Sequence, residues 1–166
     1  LICAKVYYAI LVGDWRALFS RGGFVFWGGL IGGIVTVSIV VIRKKLGFFR
    51  IAEVAGLAIA PAYAVGRTGC WAVGDDYGRP WDGPLAVQFP NGAPPSTVAV
   101  MQQEFGITPP PGASPTDVLA VHPTQLYETA MALVMFLVLW RLRGHRHAEG
   151  WLFGVYMVLA GIERFI

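Results

Sequence analysis

Hydrophobic residues run along this chain in long unbroken blocks, separated by short basic or glycine-rich stretches. Residues 23–42 carry no charge. At 1.5 Å per residue that block makes about 30 Å of helix, the thickness of a hydrocarbon core, and it predicts a membrane span. Residues 51–66, 123–140 and 151–166 are further predicted spans, the last one partial, and residues 1–12 read as part of another. Residues 73–121 break the pattern. Pro94-Pro95, Pro109-Pro110-Pro111 and several glycines exclude a continuous helix there, and Asp75, Asp76, Asp82, Glu104 and Asp117 make the stretch water-facing. The predicted fold class is all-α, a polytopic transmembrane helix bundle with an irregular outer-face loop, read as a single domain over residues 1–166.

Composition supports a bilayer as the main solvent, with 55% hydrophobic and 14% charged residues. The expected surroundings are lipid, with no nucleic-acid interface. Orientation follows from the basic residues. Arg43, Lys44, Lys45 and Arg50 share one short loop and Arg141, Arg143 and Arg146 another, which marks both as cytoplasmic and residues 73–121 as non-cytoplasmic. The chain starts on an apolar residue other than methionine and stops inside an apolar run, so it reads as a fragment of a larger membrane protein. Cys3 and Cys70 form no CxxC pair and argue for neither a zinc site nor a disulfide framework. Gly28-Gly29 and Gly32-Gly33, four residues apart, predict close helix packing. Trp15, Trp71 and Trp81 fit an interfacial aromatic belt.

Chemistry concentrates at one depth. The stretch from Gly66 to Gly78 reads as an arginine- and glycine-rich turn ending the second full span. Arg67 lies about 25 Å along a helix from the cytoplasmic Arg50, near the outer interface. His122 opens the next inward span at that level, Arg164 lies about 21 Å up from Gly150, and Trp27 is at a similar height. An arginine at a helix end is often a snorkelling anchor. Here Gly66, Gly69, Gly74 and Gly78 leave backbone N–H groups approachable around the guanidinium, which suits an anion such as a phosphate. Arg164 interrupts an apolar run, where a buried arginine needs a cavity or a partner. Its neighbour Glu163 points about 100° away on a helix and is a poor candidate for that partner. Taken singly, His122 is also explained as a helix cap and Glu128 as a neutraliser of a nearby arginine. Asp75 and Asp76 with a distant His122 make a poor ligand set, so neither a metal nor another cofactor is expected.

Gly66-Arg67-x-Gly69, then Gly74 and Tyr77-Gly78-Arg79, then Gln88-Phe89-Pro90, then His122-Pro-Thr-Gln-Leu-Tyr-Glu128 resemble the prolipoprotein diacylglyceryl transferase family. Ala4-Lys5-Val6-Tyr7-Tyr8, Gly28-Gly29-Leu-Ile-Gly32 and Ala160-Gly161-Ile-Glu-Arg164-Phe extend the likeness to nearly the whole chain. The resemblance implies a bacterial inner-membrane enzyme with its site facing the outer leaflet. Such an enzyme moves the diacylglyceryl group of phosphatidylglycerol to the lipobox cysteine thiol of a preprolipoprotein and releases glycerol phosphate. It implies Arg67 for the headgroup phosphate, Arg164 for leaving-group charge or orientation, and His122, Gln125, Tyr127 and Glu128 as a second motif. Gly66, Gly69, Asp75 and Gly78 are the accompanying substrate-binding positions. It also implies that the family's first and last spans are missing here. A free thiol has a pKa near 8.5, so its attack benefits from a base or a positive field. His122 is the histidine expected on the outer side, since His145 and His147 fall in a cytoplasmic loop.

Three positions depart from the family pattern. Trp27 stands where many members carry histidine, Cys70 where many carry asparagine, and Asp75 where many carry glutamate. Cys70 beside Arg67 is an alternative nucleophile, and residues 90–121 form a longer insert than the family pattern suggests. Two other functions therefore stay open: a paralogue that binds an anionic phospholipid without transferring it, and a transferase with a different acceptor. A transporter is disfavoured because the ionisable residues gather at one interface.

Overall fold

The computed structural model describes every residue except 21, 22, 24, 110 and 166, and the chain falls into two compact units, Leu1–Ala52 and Glu53–Ile166. The middle of the predicted triple proline and the last residue of the predicted span 151–166 lie outside the described residues.

In the first unit, helix α1 (Ile2–Val12) ends at Gly13, whose φ of 71° is the left-handed conformation that glycine adopts without a side-chain clash. A 3-10 turn at Trp15–Phe19 follows, its Asp14 side chain accepting from the Arg16 amide at 2.8 Å. Lys5 ties this turn back to α1, donating to Ala17 O at 3.2 Å and to Ser20 O at 2.7 Å. Helix α2 (Phe26–Arg43) packs on α1 through the predicted small residues. A Cβ on Gly28 would stand 2.6 Å from Tyr7 Cβ, and one on Gly32 2.4 Å from Cys3 Cβ. A Cβ on Gly29 would meet Ala4 Cβ at an ordinary 3.6 Å and Gly33 faces open space, so the closest approach runs along Gly28 and Gly32.

The second unit holds the rest of α3 (Phe48–Val73), with α4 (Val98–Phe105), α5 (Thr124–Leu142) and α6 (Trp151–Phe165). Helices α2, α3 and α5 are long and apolar enough to cross a membrane, which makes this an all-α membrane protein. The predicted span 151–166 is α6, at 15 residues shorter than a crossing of about 20. Ala60 of α3, Met135 and Leu139 of α5 and Leu152 of α6 form one buried cluster. Gly56 lets α6 approach α3, since a Cβ there would meet Tyr156 Cβ at 3.2 Å. At the start of α6, Glu53 accepts from the Gly150 amide at 2.8 Å and stands 3.2 Å from His145 Nε2, so a carboxylate of α3 serves helix-end donors that lack an intrahelical partner.

The segment between α3 and α5 is more ordered than its prolines predict. Tyr77, Phe89, Met101 and Val121 bury a second cluster, and Trp71 at the end of α3 meets the Phe89 ring edge-on at 5.4 Å. Strands β1 (Val87–Gln88) and β2 (Ala120–Val121) pair antiparallel, Val87 opposite Val121. The fully buried Ser96 accepts from the Phe89 amide at 3.1 Å and donates to Leu119 O at 2.9 Å, stitching the loop across the sheet. Burial, with the charge of Glu104, raises the Tyr77 phenol above its ordinary pKa, so it stays neutral and donates to Pro94 O at 2.7 Å. The hydrophobic positions that fold this loop lie in runs of only three or four residues, such as Val98–Met101 and Val118–Val121, which hides them from a reading of long runs.

Candidate functional site

The site is built on a stripe of α3. Ala60, Tyr63, Ala64, Arg67 and Trp71 recur at the three- and four-residue spacing that lines one helix face. The helix passes straight through Gly66 and Gly69, so the predicted turn there is corrected: the turn begins at Gly74. A glycine inside a helix costs about 1 kcal/mol relative to alanine. The contacts of Ala64, Arg67 and Trp71 on either side hold the helix together across both. The amides of Gly66 and Gly69 are therefore engaged within the helix and form no anion nest; their contribution is an open surface, with nothing within 4 Å of where a Cβ would be. Gly74 closes the helix with φ 71°, its amide donating to Cys70 O at 2.8 Å. A Cβ there would stand 2.9 Å from Gly92 Cα.

Arg67 sits between two carboxylates. Its NH2 donates to Glu128 Oε1 at 3.0 Å, and Nε stands 2.8 Å from Glu128 Oε2, though without the alignment of a hydrogen bond. On the other side NH1 donates to Asp76 Oδ2 at 2.8 Å. The Tyr63 hydroxyl, one turn earlier on α3, donates to Glu128 Oε2. Glu163 of α6 is within electrostatic reach of Glu128 and Arg67 and close to the Tyr63 hydroxyl. The Cys70 thiol is free, receives NH1 of Arg67 at 3.6 Å and donates toward Asp76 Oδ2 at 3.9 Å.

Cys70 Sγ and the carboxylates of Asp75 and Asp76 fall within 4.8 Å of one another. The guanidinium already supplies the positive charge these donors face, so a metal ion there would meet a fixed cation.

The turn and the first turn of α5 are laced together. Gln125, fully buried, donates through Nε2 to Asp75 O, and Thr124 Oγ1 donates to Asp76 O at 2.6 Å. The Gly78 amide donates to His122 O at 2.9 Å. His122 belongs to a separate pair: its Nδ1 lies 3.4 Å from the Tyr127 hydroxyl, and its ring stacks on Trp81 at 4.2 Å and 8°. Trp81 fixes the His122 ring by this stacking, and Trp71 packs its ring against the loop core.

Residues 1–166 match the sequence model described as prolipoprotein diacylglyceryl transferase. The chain belongs to the prolipoprotein diacylglyceryl transferase family. Among similar curated proteins is the phosphatidylglycerol–prolipoprotein diacylglyceryl transferase of Bordetella parapertussis, 32% identical over 147 residues, which are 88% of this chain and 47% of that protein. The protein of the same name from Clostridioides difficile is 30% identical over 172 residues, 99% of this chain and 58% of that protein. The one from Treponema denticola is 31% identical over 151 residues, 86% of this chain and 44% of that protein. The chain spans about half the length of the curated relatives it matches.

Of the positions that carry the family resemblance, the structure joins Arg67, Asp75, Gln125 and Glu128 in one network, and His122 with Tyr127 in another. Gly78 adjoins the second through its amide, which donates to His122 O. Arg164 is exposed in the last turn of α6 and makes its electrostatic link through Glu163, its neighbour in sequence, which is also within reach of Glu128 and Arg67. Trp27 lies in the first unit. Tyr63, Asp76, Glu163 and Trp81 were not foreseen as site residues. Tyr63 had a signal, since it lies one turn before Arg67 and shares its face once the span is read through the glycines. Asp76 had none beyond being acidic.

Proposed function

We propose that this chain forms part of an enzyme that transfers the diacylglyceryl group of phosphatidylglycerol to the lipobox cysteine thiol of a preprolipoprotein, in the bacterial inner membrane with its site toward the outer leaflet. The observation that carries this reading is Arg67, a permanently charged guanidinium held by Glu128 near the end of a long apolar helix, with NH1 directed to the exposed carboxylate of Asp76. Membership of the family supports it.

In the transfer, the cysteine sulfur attacks the glyceryl carbon that carries the phosphate ester. The carbon–sulfur bond forms as the carbon–oxygen bond to phosphate breaks, and glycerol phosphate leaves with the bonding pair. Arg67 stabilises the charge that collects on the departing phosphate. The thiol proton goes to a base, for which His122 is the candidate, its Nδ1 facing the Tyr127 hydroxyl and its ring fixed against Trp81. Arg164 takes part in headgroup orientation, and Gly66 and Gly69 give the lipid an unobstructed face of α3.

The test uses the full-length protein in liposomes with labelled phosphatidylglycerol, a lipobox peptide and its cysteine-to-serine control. Label on the cysteine peptide alone, with glycerol phosphate released, is the expected result. Phosphatidylglycerol bound through Arg67 with no transfer would replace this reading with a lipid-binding paralogue, consistent with Trp27 having no proton to accept or give at a position where relatives often carry an imidazole.

A further inference from the structure

The two carboxylates on Arg67 are not equivalent. Glu128 is 22% exposed and is held by both Arg67 and the Tyr63 hydroxyl. Asp76 is 65% exposed, and its carboxylate is hydrogen-bonded by NH1 of Arg67, with the Cys70 thiol at 3.9 Å and the Asp75 carboxylate within 4.8 Å beside it. An ion pair exposed on one side contributes little and is readily exchanged, whereas breaking the more buried contact leaves a charge without a partner.

The backbone at Asp76 does not depend on its side chain. Thr124 Oγ1 fixes Asp76 O at 2.6 Å, Gln125 fixes Asp75 O, and Gly78 is anchored to His122. The carboxylate can leave while the turn stays. The φ of 53° at Asp76 is the left-handed conformation, which folds the chain back over the end of α3 and puts this side chain on the guanidinium.

Charge gives the motive. Arg67 contacts Asp76 and Glu128, and Glu163 interacts with both Arg67 and Arg164, so the cluster sets three carboxylates against two guanidinium groups. A phosphate entering it adds another negative charge to a site with no surplus cation. The Nε–NH2 edge of Arg67 is occupied by Glu128, which leaves NH1, the nitrogen that Asp76 covers, as the point of attachment.

We propose that Asp76 is an exchangeable occupant of the phosphate seat on Arg67: a lipid phosphate displaces the Asp76 carboxylate one for one, while Glu128 and Tyr63 keep the guanidinium in place. Asp76 then determines how strongly the site selects for anionic headgroups, because any ligand must outcompete a resident carboxylate. This inference rests on the proposed lipid substrate.

The experiment measures binding of short-chain phosphatidylglycerol to the full-length protein in phosphatidylcholine nanodiscs. Asp76→Asn is the informative variant, since asparagine tolerates the left-handed φ and keeps the side-chain shape. Its affinity is expected to rise about two- to fivefold, the range set by loss of a partly exposed ion pair. Asp76→Glu keeps the charge and is expected to stay closer to wild type. Asp82→Asn removes the same charge from an exposed position in the same loop and is expected to leave affinity unchanged. Equal affinity for wild type and Asp76→Asn, or an equal gain in Asp82→Asn, would overturn the exchange while leaving the lipid reading intact. Absence of phosphatidylglycerol binding in wild type and Asp76→Asn alike would overturn both.

Discussion

Tyr63 and Glu128 join α3 to α5 directly: the phenol donates to the carboxylate oxygen that also faces Nε of Arg67. Arg67 therefore receives its orientation from two helices, and Tyr63 acts on it through Glu128 as a positioning residue. A hydrogen bond to a charged acceptor contributes about 1.5–3 kcal/mol. Tyr63→Phe keeps the ring and removes the donor. Transfer should fall by about tenfold or more through a higher KM for phosphatidylglycerol, alongside a melting temperature lowered by several degrees. A fall in melting temperature with KM unaltered would make Tyr63 a packing residue only.

Arg67→Lys tests the division of the guanidinium among its partners. Three nitrogens serve Glu128 on one side and Asp76 on the other, a geometry one ammonium cannot reproduce although its charge is the same. Turnover should drop at least about tenfold, and lysine should not rescue what Arg67→Gln loses. Near-normal transfer in the lysine variant would show that charge alone is enough.

The membrane helices were legible in the sequence because burial in lipid demands uninterrupted apolar runs, and α2 and α5 follow those runs closely. The end of α3 was not. Gly66 and Gly69 look like turn punctuation, but the stripe through Tyr63, Arg67 and Trp71 has partners on both sides, and those contacts outweigh propensity. The same misreading hid Tyr63, whose role is visible only when the face it shares with Arg67 is continuous. Arg164 shows a different limit. Depth along a helix is readable from residue number, but rotation about the axis is set by packing, which leaves Arg164 exposed and Glu163 half-buried. Asp76 depends on a left-handed backbone angle at a non-glycine residue, which no local pattern announces.

Gly78 combines a close approach with a site role. A Cβ at this position would stand 2.8 Å from Thr124 Cγ2 and 3.0 Å from His122 Cβ, both at the entry to α5. Gly78→Ala should destabilise the protein by about 1–3 kcal/mol, the usual range for overpacking, and shift His122 relative to Trp81. Thermal unfolding in detergent measures the first effect. Transfer by the residual folded protein at low temperature measures the second, and wild-type activity there would separate His122 placement from stability.

Gly69 makes the opposite case. It is helical and exposed, and no atom lies within 4 Å of an added Cβ, so alanine fits the fold without contact. Replacing a mid-helix glycine with alanine removes backbone freedom from the unfolded chain and is favourable by about 0.5–1 kcal/mol. Gly69→Ala should accordingly melt at the same temperature as wild type or slightly higher. If the lipid approaches Arg67 across this bare face, the added methyl obstructs it, and KM for phosphatidylglycerol rises while stability does not fall. Gly66→Ala, equally unobstructed in the free protein, should show the same pairing of retained stability and weakened substrate binding. Wild-type KM in both variants would remove this face of α3 from the substrate path and leave Arg67 to be reached from the side of Asp76 alone.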